Sequence, residues 1–302
     1  MSSPTPEEDA VWAVVVSYNR RPLLAECLAA VAAQTRAPDH VLVVDNASTD
    51  GSAAMVRDEH PRAEVLALSR NRGGAGGFAA GLAAAHAGGA AWAWIMDDDT
   101  IPAPTALAAL LAAPDPPPGL PRPLLLASRI EWSDGSLHPM NVPVFKRDPR
   151  LYLASCEHGL LPLRTATFPS LLVHRTAVDR FGLPRAEFFI WSDDVEYTAR
   201  ILRREPLGYL VPGSVAEHRT PTAHTAVGES GERFYYHVRN SLWMQRGRSF
   251  GPAERLSQVF WLLQTTRGYL RANRLSAASL RTVARGVRDG LRRVPAASSA
   301  DA

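Results

Sequence analysis

The chain has 302 residues, 46% of them hydrophobic and 21% charged, which excludes a chain disordered throughout, a collagen-like repeat and a coiled-coil rod. Its 33 basic and 30 acidic residues leave a net charge of +3. The two cysteines, Cys27 and Cys156, form no C-x-x-C pair, which argues against a disulfide scaffold or structural zinc site and fits a reducing cytosol. Lys146 is the sole lysine, and the abundance of Arg, Ala and Pro is what GC-rich coding DNA produces, so no nucleic-acid partner is expected. Val11–Val16 is short, follows Glu7, Glu8 and Asp9, and lacks a basic leader, so it does not read as a signal peptide. No other stretch approaches the roughly 18 apolar residues of a membrane span.

In chain order, Val11–Ser17 reads as a buried strand and Pro22–Gln34 as a helix with Leu23, Leu24, Cys27, Leu28 and Val31 on one face. The strand His40–Val44 ends at Asp45 and is followed by the turn NASTDGS and a helix through Met55 and Val56. Glu64–Leu68 is a third strand, Gly76–Ala87 a helix and Ala91–Met96 a fourth strand. This alternation predicts a parallel sheet with helical crossovers, whose ligands bind at the carboxyl ends of strands. After Asp97–Asp99 come a helix (Pro104–Ala112), the stiff connector APDPPPGLPRP, a strand (Leu124–Ile130) and the turn SDGS. Phe168–Val173 is apolar, a helix through Val178 stops at Gly182, and Phe188–Trp191 leads into the helix SDDVEYTARILRR. Leu207–Val211 is a last short strand with His218 beyond it, and from Arg233 the pattern is helical and Arg-rich. No internal repeat is evident.

Five groups of residues carry chemistry. Asp97, Asp98 and Asp99 follow a strand and repel one another unless a cation compensates. Such a triplet can be a solvated helix cap, but at a parallel strand's carboxyl end it suits Mg or Mn, with Asp97 and Asp99 facing one ligand. Upstream, Gly74, Gly76 and Ala79 match the dinucleotide fingerprint, with Asp97 at about the spacing of a ribose-binding acid, so an NAD(P) oxidoreductase is a rival reading. Against it, Arg70, Asn71 and Arg72 separate the strand from the glycines, and a dinucleotide site needs one acid, not three. Asp45 can accept hydrogen bonds from a base or ribose, or make an Asx turn. Asp193 with Glu196 forms a capping-box-like start, which leaves Asp194 beside Trp191 as a candidate general base. A neutral His218 can complete a carboxylate metal site, with His224 as a competitor.

In order and spacing, VVVSYNR, VVDNASTDGS, NRGGAGGFAAG, WIMDDD, FFIWSDDVEY and EHRTPT resemble glycosyltransferase family 2 over roughly residues 11–245. GGAGGFA and RFYYHVRN are similar to bacterial galactofuranosyltransferases that begin arabinogalactan synthesis and to related rhamnosyltransferases. The resemblance implies an α/β GT-A fold, a mostly parallel sheet with helices on both faces, with residues 1–232 as catalytic domain and 233–302 as a helical extension. It implies an inverting, metal-dependent transfer from a nucleotide-diphosphate sugar, UDP-galactofuranose first and dTDP-rhamnose second, to a hydroxyl of a glycan or lipid-linked glycan. Donor contacts are then expected from Ser17, Asn19, Arg20, Asp45, Asn71, Gly73, Gly74, Asp97, Asp98 and Arg239. Asp97, Asp99 and His218 would hold Mn2+ or Mg2+, Asp194 would be the base, and Trp191 and Asp193 would meet the acceptor. Ser192, between Trp191 and the acid pair, leaves the choice between Asp193 and Asp194 open. A catalytically silent sugar-nucleotide-binding protein of the same fold is the different-class alternative, disfavoured because every expected acid is present.

The tail has a further expectation. Arg233, Tyr235, Tyr236, Arg239 and Asn240 sit on a helix expected to fold over the donor pyrophosphate. Leu280, Val283, Val287, Leu291 and Val294 recur at helical spacing among Arg281, Arg285, Arg288 and Arg292, which suits an anionic membrane surface as well as a helix packed on the core. With a lipid-linked acceptor, the expected location is cytoplasmic and peripheral on the inner face of the plasma membrane; the oligomeric state is left open. Residues 233–302 carry 13 Arg and three acids, a net +10, while residues 1–232 carry −7, so the near-neutral total conceals an acidic body and a basic tail.

Overall fold

All seven residues of β1 (Val11–Ser17) are buried, as an apolar run without alternation requires of a strand covered on both faces. The structure, a computed structural model, describes residues 10–113, 115–222 and 230–292. From β1 the chain continues through α1 (Arg21–Ala32), β2 (His40–Asp45), α2 (Ser52–Glu59), β3 (Ala63–Ala67), α3 (Gly73–Ala87) and β4 (Trp92–Asp97). Next come β5 (Thr100–Pro102), α4 (Ala106–Leu111), β6 (Leu125–Glu131), β7 (Val144–Phe145), α5 (Pro149–Glu157) and β8 (Leu161–Thr165). Then β9 (Leu171–His174), α6 (Arg175–Phe181), α7 (Asp193–Ile201) and β10 (Gly208–His218) lead to α8 (Phe234–Arg246), α9 (Pro252–Ala272) and α10 (Ala277–Gly290).

The strands form one sheet of order β3-β2-β1-β4-β9-β6-β10-β8-β7, with β5 paired to β10. The β3-β2-β1-β4 half is parallel, and antiparallel β9 lies between β4 and β6. Alternate residues of β1 enter opposite cores. Val14 and Val16 join Phe78 and Leu82 of α3 on one face, and Val11 and Val15 join Leu24, Leu28 and Leu107 on the other. Helices therefore cover both faces, as expected from the sequence.

Some boundaries differ from the sequence reading, each for a local reason. α3 starts at Gly73 rather than Gly76, so the glycine run is the helix's first turn and not a loop before it. Gly81 lies against β1: a Cβ there would stand 2.4 Å from Val14 Cγ1 and 3.0 Å from Val44 Cγ2. These glycines serve close helix–sheet packing, and with β9 running antiparallel beside β4 the arrangement departs from the dinucleotide-binding order. The oxidoreductase reading is thereby set aside. β10 does not end at Val211; it passes an irregularity between Val211 and Val215 and runs on to His218, the interruption falling at Pro212 and Gly213. The segment β5, too short to show a period, and the β7–α5–β8 region were not anticipated. α5 nevertheless carries a start signal, since the Asp148 side chain accepts from Arg150 N and Leu151 N ahead of Pro149.

Gly81→Val should destabilise the fold by about 2–3 kcal/mol through overpacking against Val14 and Val44. A urea melt with an unchanged midpoint would contradict this packing.

Candidate active site

The chain leaves β1 toward β2 on one side and reaches β4 on the other, so the β1–β4 junction is the point where strand order reverses and ligands of such sheets bind. Ser17 ends β1 and Asp97 ends β4, and Asp98 N donates to Val16 O at 3.1 Å. Asp98 and Asp99 are buried while Asp97 is half-buried. Ser17 Oγ donates to Asp98 Oδ2 at 2.8 Å, Tyr18 N donates to the same oxygen at 3.2 Å, and Arg20 Nη1 bridges Asp98 Oδ1 and Asp99 Oδ2. On the far side, the short antiparallel ladder pairs His218 with Thr100, and Arg219 N donates to Asp99 O at 2.8 Å. That ladder sets His218 Nε2 3.1 Å from Asp99 Oδ1.

Charge repulsion and burial decide the electrostatics. Burial, then Asp99, Asp98 and Asp193, push Asp97 well above the carboxylate range. Burial raises Asp98 to about 6 despite Arg20 and the bonds from Ser17 and Tyr18. Burial also pushes Asp99 upward, but His218 and Arg20 outweigh it and hold that carboxyl below its usual value. Donor atoms of Asp97, Asp99 and His218 lie within 4.8 Å of one another. Asp99 Oδ1 is buried without a well-formed hydrogen bond although a ring nitrogen faces it. Two carboxylates and an imidazole around an unsatisfied oxygen fit a divalent cation such as Mn2+ or Mg2+. His224, the competing imidazole, lies outside the described residues.

Across from this cluster α7 begins, after a loop with unusual backbone. Phe189, Trp191 and Ser192 have φ of 65, 65 and 66°, a region that non-glycine residues occupy only when their surroundings enforce it. The enforcing contacts come from α8. Buried Asn240 points its Nδ2 at the carbonyls of Phe188, Ile190 and Trp191 (3.0, 2.9 and 2.8 Å), which share its two protons. Arg239 Nη2 donates to Glu187 O at 2.6 Å and Phe188 O at 2.9 Å, with its guanidinium 4.2 Å from the Trp243 ring centre. From the other side Ala75 N donates to Phe189 O, and Gly73, at φ +71°, leaves only 2.0 Å between a would-be Cβ and that oxygen.

These contacts correct two expectations. Arg239 and Asn240 are not presented on the helix surface; both are buried and turned to the loop carbonyls. Asp193 and Glu196 form no capping box. Ser192 is the cap residue, in left-handed conformation and without a side-chain bond, and Glu196 turns inward to accept from Ser249 Oγ at 2.7 Å and to pair with Arg185 and Arg200. Both acids remain at the site. Burial and Asp194 push Asp193 well up, and burial raises Asp194, which accepts from Val195 N at 2.7 Å, to about 6.

The remaining candidates line the loops at the same sheet edge. Asp45 is buried, and its Oδ1 accepts from Ser48 N at 3.2 Å in a turn. Asn19 Oδ1 accepts from Thr49 N at 2.7 Å, which ties the loop after β1 to the one after β2. Asn71 Oδ1 caps Gly73 N at 2.7 Å, and Gly74 faces open space. Sequence reasoning missed Asn46. Its side chain accepts from Arg72 N and donates to Gly73 O, holding the start of α3 against the end of β2.

The family described as Glycosyl transferase family 2 matches residues 12–118. Residues 12–118 are a glycosyltransferase family 2 domain. The chain is 34% identical over 199 residues to the galactofuranosyltransferase GlfT1 of Mycolicibacterium smegmatis, covering 65% of this chain and 66% of that protein. The chain thus spans about two thirds of the length of the galactofuranosyltransferases it matches. It is 26% identical over 270 residues to the N-acetylglucosaminyl-diphospho-decaprenol L-rhamnosyltransferase of Mycobacterium tuberculosis, covering 78% of this chain and 86% of that one. Among solved structures, S. aureus TarS 1-349 in complex with UDP-GlcNAc superposes with TM-score 0.60 at 16% identity, covering 94% of this chain and 81% of that one. The mannosyltransferase PcManGT of Pyrobaculum calidifontis, in complex with GDP-Man and Mn2+, gives 0.56 at 21% identity, covering 96% and 83%. These likenesses establish the GT-A fold of the chain, and α8–α10 follow its sheet as extra C-terminal helices.

Asn240→Leu should leave the Ile190 and Trp191 carbonyls without their side-chain donor, Phe188 O keeping Arg239, and destabilise the protein by about 2–3 kcal/mol. Hydrogen exchange should rise first at residues 188–192. Uniform protection in the variant would show that the loop holds itself.

Proposed function

We propose that the protein is an inverting, metal-dependent glycosyltransferase that moves a sugar from a nucleotide diphosphate to a hydroxyl of a glycan or polyprenyl-diphosphate-linked glycan. One observation carries the reading: the donor atoms of Asp97, Asp99 and His218 lie within 4.8 Å of one another at the end of β4, and Asp193, which opens α7, is close enough to raise Asp97. Asp97, Asp99 and His218 would hold Mn2+ or Mg2+, and PcManGT, a fold relative, was solved with Mn2+. Such an ion supplies charge neutralisation to the departing diphosphate. Arg20, which already bridges Asp98 and Asp99, adds a second cation on the donor side.

The base is Asp194 in this reading. Its carboxylate removes the proton from the acceptor hydroxyl, which attacks the anomeric carbon opposite the leaving group, so a single displacement inverts that carbon. Asp193, more strongly raised, suits an acceptor contact beside Trp191. Asp45, Asn19, Asn71, Ser17, Gly73 and Gly74 border the nucleotide end. Likeness to GlfT1 favours UDP-galactofuranose as donor, and likeness to the rhamnosyltransferase makes dTDP-rhamnose the second reading. A panel of nucleotide sugars scored for released diphosphate separates the two.

Asp194→Asn should lower transfer by at least 10^3-fold, on the order expected for loss of a general base, while donor binding persists. Near-wild-type transfer would sink the assignment. Because an ionised Asp194 is required and its pKa is about 6, the rate should be level above that pH and fall about tenfold per unit below it. Asp97→Ala should weaken Mn2+-dependent donor binding instead.

The partner surface proposed for the tail is an anionic membrane. On α10, Leu280, Val287 and Leu291 are exposed beside the row Arg281, Arg285, Arg288 and Arg292, while Thr282, Gly286 and Gly290 face the protein. Val283 instead packs half-buried against Phe234, Val238 and Tyr269, and Val294 lies outside the described residues. Opposite its buried Thr265 and Tyr269, α9 also exposes Leu256, Phe260 and Leu263, at 72, 63 and 65%. Among the described residues no helix is long and apolar enough to cross a membrane, so the contact would be in-plane, on the inner face of the plasma membrane. Pelleting with phosphatidylglycerol vesicles should be strong in low salt and fall in high salt, and Arg281→Glu with Arg285→Glu should abolish it. Salt-independent or absent pelleting would count against a lipid surface.

A further inference from the structure

A neutral imidazole carries one proton, and only the bare nitrogen can bind a cation, so what His218 does depends on which nitrogen its neighbours protonate. The segment between β6 and β7, which reads in sequence as a simple turn, decides this. Asn141, buried at the end of that segment, lies with Oδ1 2.8 Å from His218 Nδ1, and its Nδ2 donates to Thr167 Oγ1 at 2.9 Å. The amide is used at both ends, and it stands with its oxygen toward the ring. His138, whose ring centre is 5.0 Å from that of His218, is itself fixed: Met140 N donates to its Nδ1 and its Nε2 meets Thr220 Oγ1 at 2.8 Å.

We infer that Asn141 is a positioning residue that holds His218 in the Nδ1–H tautomer, so that bare Nε2 stands beside Asp99 Oδ1 and a divalent cation can take both as ligands. The 3.1 Å contact between that nitrogen and a buried oxygen without a well-formed hydrogen bond is the geometry this produces. Were the amide reversed, Nδ2 would donate to His218 Nδ1, Nε2 would carry the proton, and the ring would bond Asp99 directly and close the site. Thr167, on the connection between β8 and β9, and Asn141 thus tie metal affinity to a part of the fold that supplies no ligand. Partners of this kind typically change metal affinity by roughly 10–100-fold.

The inference rests on the metal reading of the same cluster, and the test separates the two. Mn2+ binding to the full chain is measured by calorimetry, with the ion alone and no sugar nucleotide, for wild type, His218→Ala, Asn141→Leu and Asn141→Asp. Asn141→Leu should weaken Mn2+ binding roughly 10–100-fold, and Asn141→Asp, which keeps an acceptor, should restore it. No binding by wild type would overturn the metal reading and this inference together. Weakening by His218→Ala but not by Asn141→Leu would overturn this inference alone. Should Asn141→Leu fail to fold, the nitrogen-15 signature of His218 in metal-free wild type at alkaline pH decides: a proton on Nδ1 supports the assignment, and one on Nε2 overturns it.

Discussion

Five carboxyl groups cannot share one partly dry cleft as anions unless positive charge is brought to them. Asp97, Asp98, Asp193 and Asp194 are all pushed toward the neutral form by burial, and Asp97 further by its neighbours. The repulsion is partly met from within by Arg20, whose guanidinium spans Asp98 and Asp99. The site is left short of positive charge on the Asp97 side, where the half-buried carboxylate faces the cleft. Much of the fold around β1 and β4 supports this imbalance. Ser17 Oγ and Tyr18 N turn Asp98 toward β1, which leaves Asp97 and Asp99 for the other side.

A second constraint sits opposite. The chain enters α7 through three non-glycine residues of positive φ, each costing on the order of 1–3 kcal/mol by itself. The cost is offset by donors from outside the loop: Asn240 and Arg239 from α8, and Ala75 N from α3. The unusual turn presents Trp191 and places Asp193 and Asp194 in the first turn of α7, where the helix dipole favours negative charge. Glycine at position 73 is what lets α3 come this close, so a residue expected to touch donor also admits the acceptor loop.

The sequence made the sheet's parallel half legible because Val11–Ser17, His40–Asp45 and the helices between them obey simple periods. It also made the acid clusters legible, because residues that follow parallel strands are where such sheets bind ligands. What it hid had physical causes. Thr100–Pro102 is too short to show a pattern, yet it brings His218 to Asp99. Pro212 and Gly213 made β10 look finished seven residues early, which left His218 in a loop. The resemblance offers Arg239 as a donor contact; its burial under Trp243 and its bonds to the loop carbonyls depend on tertiary packing that no local window contains. Asn46, Asn141 and Asn240 act through single amides bridging distant segments, and the motifs that contain Asn46 and Asn240 do not show which segments they bridge.

The division of charge between residues 1–232 and 233–302 is not a division of packing. α8 lies between the two functions: its Arg239 and Asn240 face the loop before α7, while its Tyr235 hydroxyl donates to Asp289 of α10 at 3.0 Å. Glycines 286 and 290 let α10 approach Val238 and Leu242 of the same helix closely. One helix therefore separates the arginine row of α10 from the turn that presents Trp191 and the acid pair. A tail added only to tether the enzyme could be joined by any flexible segment and would not need to supply the donors that hold the acceptor loop. That it supplies them means the basic surface of α10 and the acid pair at the start of α7 keep a fixed relation through one helix.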